Sequence, residues 1–130
     1  MNRYLRLAAA VSWTALLCLP LIAGVKFQNI DVVKARDLMD DGRTLIFDVR
    51  TPEEYAEGHV PGALSIPVGQ LVLRSNDLPS DKTAAIIVYC TVGVRSAKAG
   101  RILSKMGYSN VFNMKGGIDE WARRRLPLAK

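Results

Sequence analysis

Two short runs of apolar residues constrain this chain more than any other feature: Thr44 to Val49 (TLIFDV) and Ala84 to Tyr89 (AAIIVY). Neither alternates polar with apolar side chains, so each reads as a strand covered on both faces rather than one with a face in water. Segments with helical spacing lie around them. Phe27 to Ile30 predicts a first short strand, and Asp31 can cap a helix carrying Val32, Val33, Ala35, Leu38 and Met39 on its apolar face, with Gly42 as the stop. Thr51-Pro52-Glu53-Glu54 combines an N-cap threonine, proline at the first helical position and glutamate at the third. This is a capping box, and its short helix ends at Gly58. Leu64 to Ile66 predicts a brief strand and Val68 to Leu73 a helical turn or two. Ser96 to Met106 has helical spacing at Ala97, Ala99, Ile102 and Leu103, ended by Gly107. Val111 to Asn113 predicts a last strand, Gly116-Gly117 a turn, and Ile118 to Arg125 a final helix with Trp121 on its inner face. Strands alternating with helices imply an α/β fold, a parallel sheet covered on both sides, with Ala84 to Tyr89 as its central strand.

The N-terminus has a different composition. Arg3 and Arg6 precede Leu7 to Val25, an uncharged run of 19 residues closed by Lys26, with Pro20 near its end and the small residues Ala23 and Gly24 after it. A positive segment followed by an apolar one and a small-residue cleavage site reads as a secretory signal over residues 1–24, leaving a domain over 25–130. At 1.5 Å per residue the run would reach about 28 Å, so an uncleaved membrane anchor is the alternative. Either way the domain is expected to be exported, with the periplasm as the expected compartment. Cleavage would remove Arg3, Arg6 and Cys18, leaving 16 basic and 12 acidic side chains and a single cysteine, Cys90. The basic residues are scattered except for Arg123, Arg124 and Arg125, with none of the aromatic interleaving that binds single strands, so nucleic acid is not an expected partner and small anions are better candidates. His59 is the only histidine, which excludes a Cys/His zinc cluster and leaves no other imidazole for a catalytic triad.

Ligands of such sheets gather beyond the carboxyl ends of the strands. Cys90-Thr91-Val92-Gly93-Val94-Arg95-Ser96 lies at that edge, between the central strand and the start of the following helix. Backbone N–H groups of such a loop can converge on one point, and the helix dipole adds roughly half a positive charge behind them. Gly93 lets the backbone curl, and Arg95 contributes a full charge. These surroundings favour thiolate over thiol, so Cys90 becomes a nucleophile without a histidine. The alternative is a small buried hydrophobe closing an apolar strand; the loop composition favours reactivity.

The loop CTVGVRS at 90–96, with FDVRTPEEYAEGHVPGALSIP at 47–67 and NMKGGIDEW at 113–121, resembles a single-domain rhodanese, with its segments in family order over about 27–127. That resemblance implies an α/β domain around a central parallel sheet of about five strands flanked by helices on both faces. It also implies sulfur transfer: Cys90 attacks the outer sulfur of thiosulfate, expels sulfite and becomes a persulfide, which a thiol or cyanide acceptor discharges. The loop Thr91, Val92, Gly93, Val94, Arg95 and Ser96 would bind the substrate, its N–H groups holding the persulfide and Arg95 orienting the donor's sulfonate. No cofactor and no metal are implied. A persulfide-carrying or redox-sensing module serving a protein partner, with poor small-molecule turnover, would have nearly the same sequence. Phosphatases and arsenate reductases related to rhodanese space cysteine and arginine one residue further apart. Here Cys90 and Arg95 enclose four residues, Thr91 to Val94, which matches the sulfur-transfer branch.

Outside the loop, Asp48 and Arg50 read as a charge pair fixing the sheet edge, and His59, in GHVPGA, as a hydrogen-bonding residue of a turn. Gly116 and Gly117 are expected to turn the chain close to the active-site loop, Trp121 to lie in the core, and Glu53 and Glu54 to belong to the helix start.

Overall fold

A computed structural model describes residues 26–130. The leader read at residues 1–24, whether signal or anchor, lies outside them. Among the described residues nine helices and strands follow one another: β1 (Gln28–Ile30), α1 (Val32–Met39), β2 (Leu45–Asp48), α2 (Pro52–Glu57), β3 (Leu64–Ser65), β4 (Ile86–Tyr89), α3 (Val94–Lys105), β5 (Val111–Met114) and α4 (Gly117–Arg123). Two single 3₁₀ turns, Val68–Gln70 and Ser75–Asp77, carry the chain from β3 towards β4. The five strands form one sheet in the order β1-β5-β4-β2-β3, with every pairing parallel. This is the expected α/β architecture, and β4 is its middle strand.

The continuous apolar runs are explained by where their side chains go. Successive residues of a strand point to opposite faces. Ile86, Val88 and Cys90 enter one core with Phe47, Ala99 and Leu103, while Ile87 and Tyr89 enter the other with Val32, Ala35, Ile118 and Trp121. Thus α3 covers one face and α1 with α4 the other, and all four residues of β4 are fully buried. The caps form as read: Asp31 accepts from the Lys34 amide at 2.7 Å, and Thr51 and Glu54 make both halves of the capping box at 3.2 Å.

Several boundaries differ from the sequence reading. Helix α3 starts at Val94 rather than Ser96, because Gly93, at φ 108°, turns the chain into it without a side-chain cap. Gly117 is the first residue of α4 rather than part of a preceding turn, and that helix ends at Arg123, two residues early. Beyond it the chain doubles back: the Trp121 indole donates to the Pro127 carbonyl at 2.7 Å, and Ala129 exchanges both backbone hydrogen bonds with His59, at 2.8 and 2.9 Å. Among the described residues no helix is long and apolar enough to cross a membrane.

Candidate active site

Cys90 leaves the carboxyl end of β4 at a fork. The chain after β4 runs into α3 on one face, whereas that after neighbouring β5 runs into α4 on the other. A crevice opens between diverging connections of this kind. The base of the loop is tied to α4: Ile118 N–H donates to the Cys90 carbonyl at 2.9 Å and Asp119 N–H to that of Thr91 at 3.2 Å. With these carbonyls turned towards α4, the amides further along the loop face the sulfur. Gly93 N–H lies 3.1 Å from Cys90 Sγ, Ser96 N–H 3.4 Å and Ser96 Oγ 3.4 Å.

These contacts set the charge state. Burial pushes the Cys90 thiol up, since the residue is only 1% exposed. Hydrogen bonds from the Ser96 hydroxyl and from the Ser96, Gly93 and Val92 amides outweigh it, and the net result lies below the ordinary thiol value. A buried sulfur facing several donors is prepared to hold negative charge, and it differs in that respect from a packed hydrophobe. Nucleophilic attack and storage of a negatively charged sulfur product are the chemistry this arrangement allows.

The remaining loop residues divide by direction. Val92 and Val94 turn their side chains to solvent, at 57% and 74% exposure, leaving only their backbone to face the site. Ser96 is fully buried and supplies two of the groups around Sγ. Thr91 and Arg95 reach across to α2. Arg95 Nη1 donates to Glu54 Oε1 at 2.7 Å and Nη2 to Oε2 at 2.9 Å, with a further 2.9 Å bond from Nη2 to Thr91 Oγ1. Glu54 therefore does more than start a helix. It both closes the capping box and clamps the arginine of the loop, and the Arg95 hydrogen bonds hold its carboxyl down at about 2 against the opposing effect of burial.

Asn113 is a second residue whose role is not legible in the sequence. Its Nδ2 donates to Asn29 Oδ1 at 3.0 Å and to the Gly93 carbonyl at 3.4 Å, bracing the loop from β5. A polar residue inside the strand VFNM was the available signal. For Glu54 no local signal existed, because the capping box already accounted for it.

Asp48 and Arg50 form a buried pair at 2.6 Å; Tyr89 donates to Asp48 Oδ2 at 2.7 Å and Arg50 to the Gly58 carbonyl at 2.7 Å. Burial and the Asp48 carboxylate push the Tyr89 phenol up, so it stays a donor. His59 stacks on Tyr55 at 3.8 Å between ring centroids, its Nδ1 3.0 Å from the Tyr55 carbonyl. These are scaffold contacts. Among the described residues no group of three His, Cys, Asp or Glu side chains is placed to hold a metal ion.

Comparison with known proteins gives the family and the fold. The rhodanese-like domain family model matches residues 31–124. The chain is 40% identical over 91 residues to a sulfurtransferase of Allochromatium vinosum, covering 70% of this chain and 83% of that protein. Among solved structures, the human single-domain sulfurtransferase superposes with a TM-score of 0.67 at 28% identity, over 76% of this chain and 98% of the human one. Thiosulfate sulfurtransferase from Pseudomonas aeruginosa gives 0.72 at 27% identity, over 79% of this chain but only 20% of that much longer protein. With its parallel five-stranded sheet and its cysteine at the carboxyl end of the middle strand, this chain belongs to the rhodanese-like domain family.

Proposed function

We propose that the domain is a sulfurtransferase that moves a sulfane sulfur from thiosulfate, or a similar donor, through a Cys90 persulfide to a thiol or cyanide acceptor. The carrying observation is the convergence of the Gly93 and Ser96 amides on Cys90 Sγ at 3.1 and 3.4 Å. In the first half-reaction the Cys90 thiolate attacks the outer sulfur of thiosulfate; the Sγ–S bond forms, the donor's S–S bond breaks, and its electron pair leaves with sulfite. In the second, the acceptor attacks the terminal sulfur and restores the thiolate. Neither step needs a cofactor. The name of the Pseudomonas aeruginosa relative supports thiosulfate as donor, and the four-residue spacing between Cys90 and Arg95 supports a cradle for sulfur rather than for a larger tetrahedral oxyanion.

The test is mass spectrometry after exposure to thiosulfate, with sulfite release measured in parallel. One added sulfur on the peptide containing Cys90, absent in Cys90→Ser, is the expected result; equal sulfite release by the two proteins overturns the reading.

A second reading has its own support. Val92 and Val94 place exposed apolar side chains on the rim of the loop, as suits a persulfide carrier that delivers sulfur to one protein partner and turns over small molecules slowly. Stable co-purification with a partner, together with negligible cyanide-dependent turnover, would favour it. We also infer export from the positive and apolar leader at residues 1–24. N-terminal sequencing of the exported protein decides between cleavage and anchoring: a start near Gly24 or Val25 means cleavage.

A further inference from the structure

The cation that a small anionic donor would need is already occupied. Arg95 spends both terminal nitrogens on Glu54, at 2.7 and 2.9 Å, and one of them again on Thr91. Thr91 Oγ1 also lies 3.3 Å from Glu54 Oε2, so carboxylate, hydroxyl and guanidinium are joined beside the loop, and the guanidinium also faces Cys90, whose charge helps to keep it protonated. Glu54 is ionised throughout the neutral range, and the Arg95 hydrogen bonds hold its carboxyl at about 2. The Glu54–Arg95 pair therefore presents a net charge near zero, instead of a positive one, to an arriving donor. Both side chains remain about one-third exposed, at 31% for Glu54 and 37% for Arg95, so a donor can reach the pair.

We propose that Glu54 is a specificity-determining residue of the sulfur-loading step, making the site compete for Arg95 with its own carboxylate and so disfavouring dianionic donors relative to sulfane donors of lower charge. This inference rests on the sulfur-transfer reading. Thiosulfate carries two negative charges and has to draw the guanidinium away from Glu54 or bind beside a carboxylate. An alkyl persulfide carries one charge at most and owes much less to Arg95. Its loading step balances without any other reagent: Sγ attacks the terminal sulfur of RSSH, the S–S bond breaks, and the proton leaves with the released thiol.

Glu54→Gln is the discriminating variant. Glutamine also completes a capping box, so the start of α2 is retained while the charge is lost. The readout is the ratio of kcat/KM for thiosulfate to that for ethyl persulfide, in wild type and variant at low salt. The ratio should rise about five-fold in the variant, the size expected of a partly exposed ion pair, mainly through a lower KM for thiosulfate, and the rise should shrink at high ionic strength. A merely structural role for Glu54 would affect both donors alike. A ratio that is unchanged or falls overturns the proposal. Thiosulfate binding to Cys90→Ser and to Cys90→Ser/Glu54→Gln, measured by calorimetry, reads the same competition without turnover. Tighter binding by the double variant upholds the role of Glu54 even if no sulfur transfer is found, whereas equal or weaker binding overturns it. If wild type loads sulfur from neither donor while binding tightens as expected, it is the sulfur-transfer reading that fails.

Discussion

Gly117 sits against the backbone of Thr91 so closely that a Cβ on it would lie 2.3 Å from the Thr91 carbonyl oxygen and 2.4 Å from that of Cys90. No side chain fits there, and φ at Gly117 is also 60°, in the left-handed region. The contact is backbone against backbone and cannot be relieved by a rotamer change. Gly117→Ala is expected to cost about 3 kcal/mol from strain and overpacking together, and to abolish sulfur loading by displacing the carbonyls that α4 holds. Urea denaturation and the persulfide mass measurement check the two effects separately.

The charge of Cys90 is open to direct titration. Burial alone would raise the thiol, and the Ser96 hydroxyl together with the Ser96, Gly93 and Val92 amides brings it below its ordinary value. The rate of alkylation by iodoacetamide should therefore rise through a midpoint below the roughly 8.5 of a free cysteine. Ser96→Ala removes the hydroxyl 3.4 Å from Sγ but keeps the amide, so its midpoint should move up and its loading rate at neutral pH should fall. A group with a lowered folded value stabilises the fold above its unfolded value and loses that contribution as pH falls through the folded one.

Glu54 makes a pH window of its own. Its ordinary value of 4.5 drops to about 2 in the folded chain, chiefly through the hydrogen bonds from Arg95. The stabilisation is thus complete above about pH 5 and is lost as pH falls towards 2. Because the pair is partly exposed its worth is limited to about 1 kcal/mol. Denaturation midpoints of wild type and Glu54→Gln should separate at pH 6 and converge at pH 2.

The pair of Asp48 and Arg50 differs in being buried on both sides, at 0% and 7% exposure. Arg50→Met leaves the Asp48 carboxylate with the Tyr89 hydroxyl and the residue-50 amide but no cation, and removes the donor to the Gly58 carbonyl. An uncompensated buried charge costs about 3 kcal/mol or more. Thermal unfolding should show a lowered Tm, and Asp48→Asn/Arg50→Met should recover part of the loss.

The legible parts of this fold are those in which a local pattern has one physical solution. An unbroken apolar run such as Ile86 to Tyr89 has to be covered on both faces, and the loop after it has to lie at the sheet edge, so the position of Cys90 follows. The capping box at Thr51 and Glu54 is likewise local. The parts that are not legible are non-local or have no side-chain signature. The clamp between Glu54 and Arg95 joins residues 41 positions apart. The true start of α3 depends on a left-handed Gly93 whose neighbours Val94 and Arg95 carry no cap signal. The pairing of His59 with Ala129 uses only main-chain atoms, which any two residues could have supplied.

That last pairing bears on how the domain can be cut. The family match stops at residue 124, yet the peptide groups of Ala129 close both bonds with His59, and Pro127 occupies the indole of Trp121. A fragment trimmed to the matched region would lose the strap that fastens the loop beneath Tyr55, and with it part of the footing from which α2 offers Glu54 to the sulfur site.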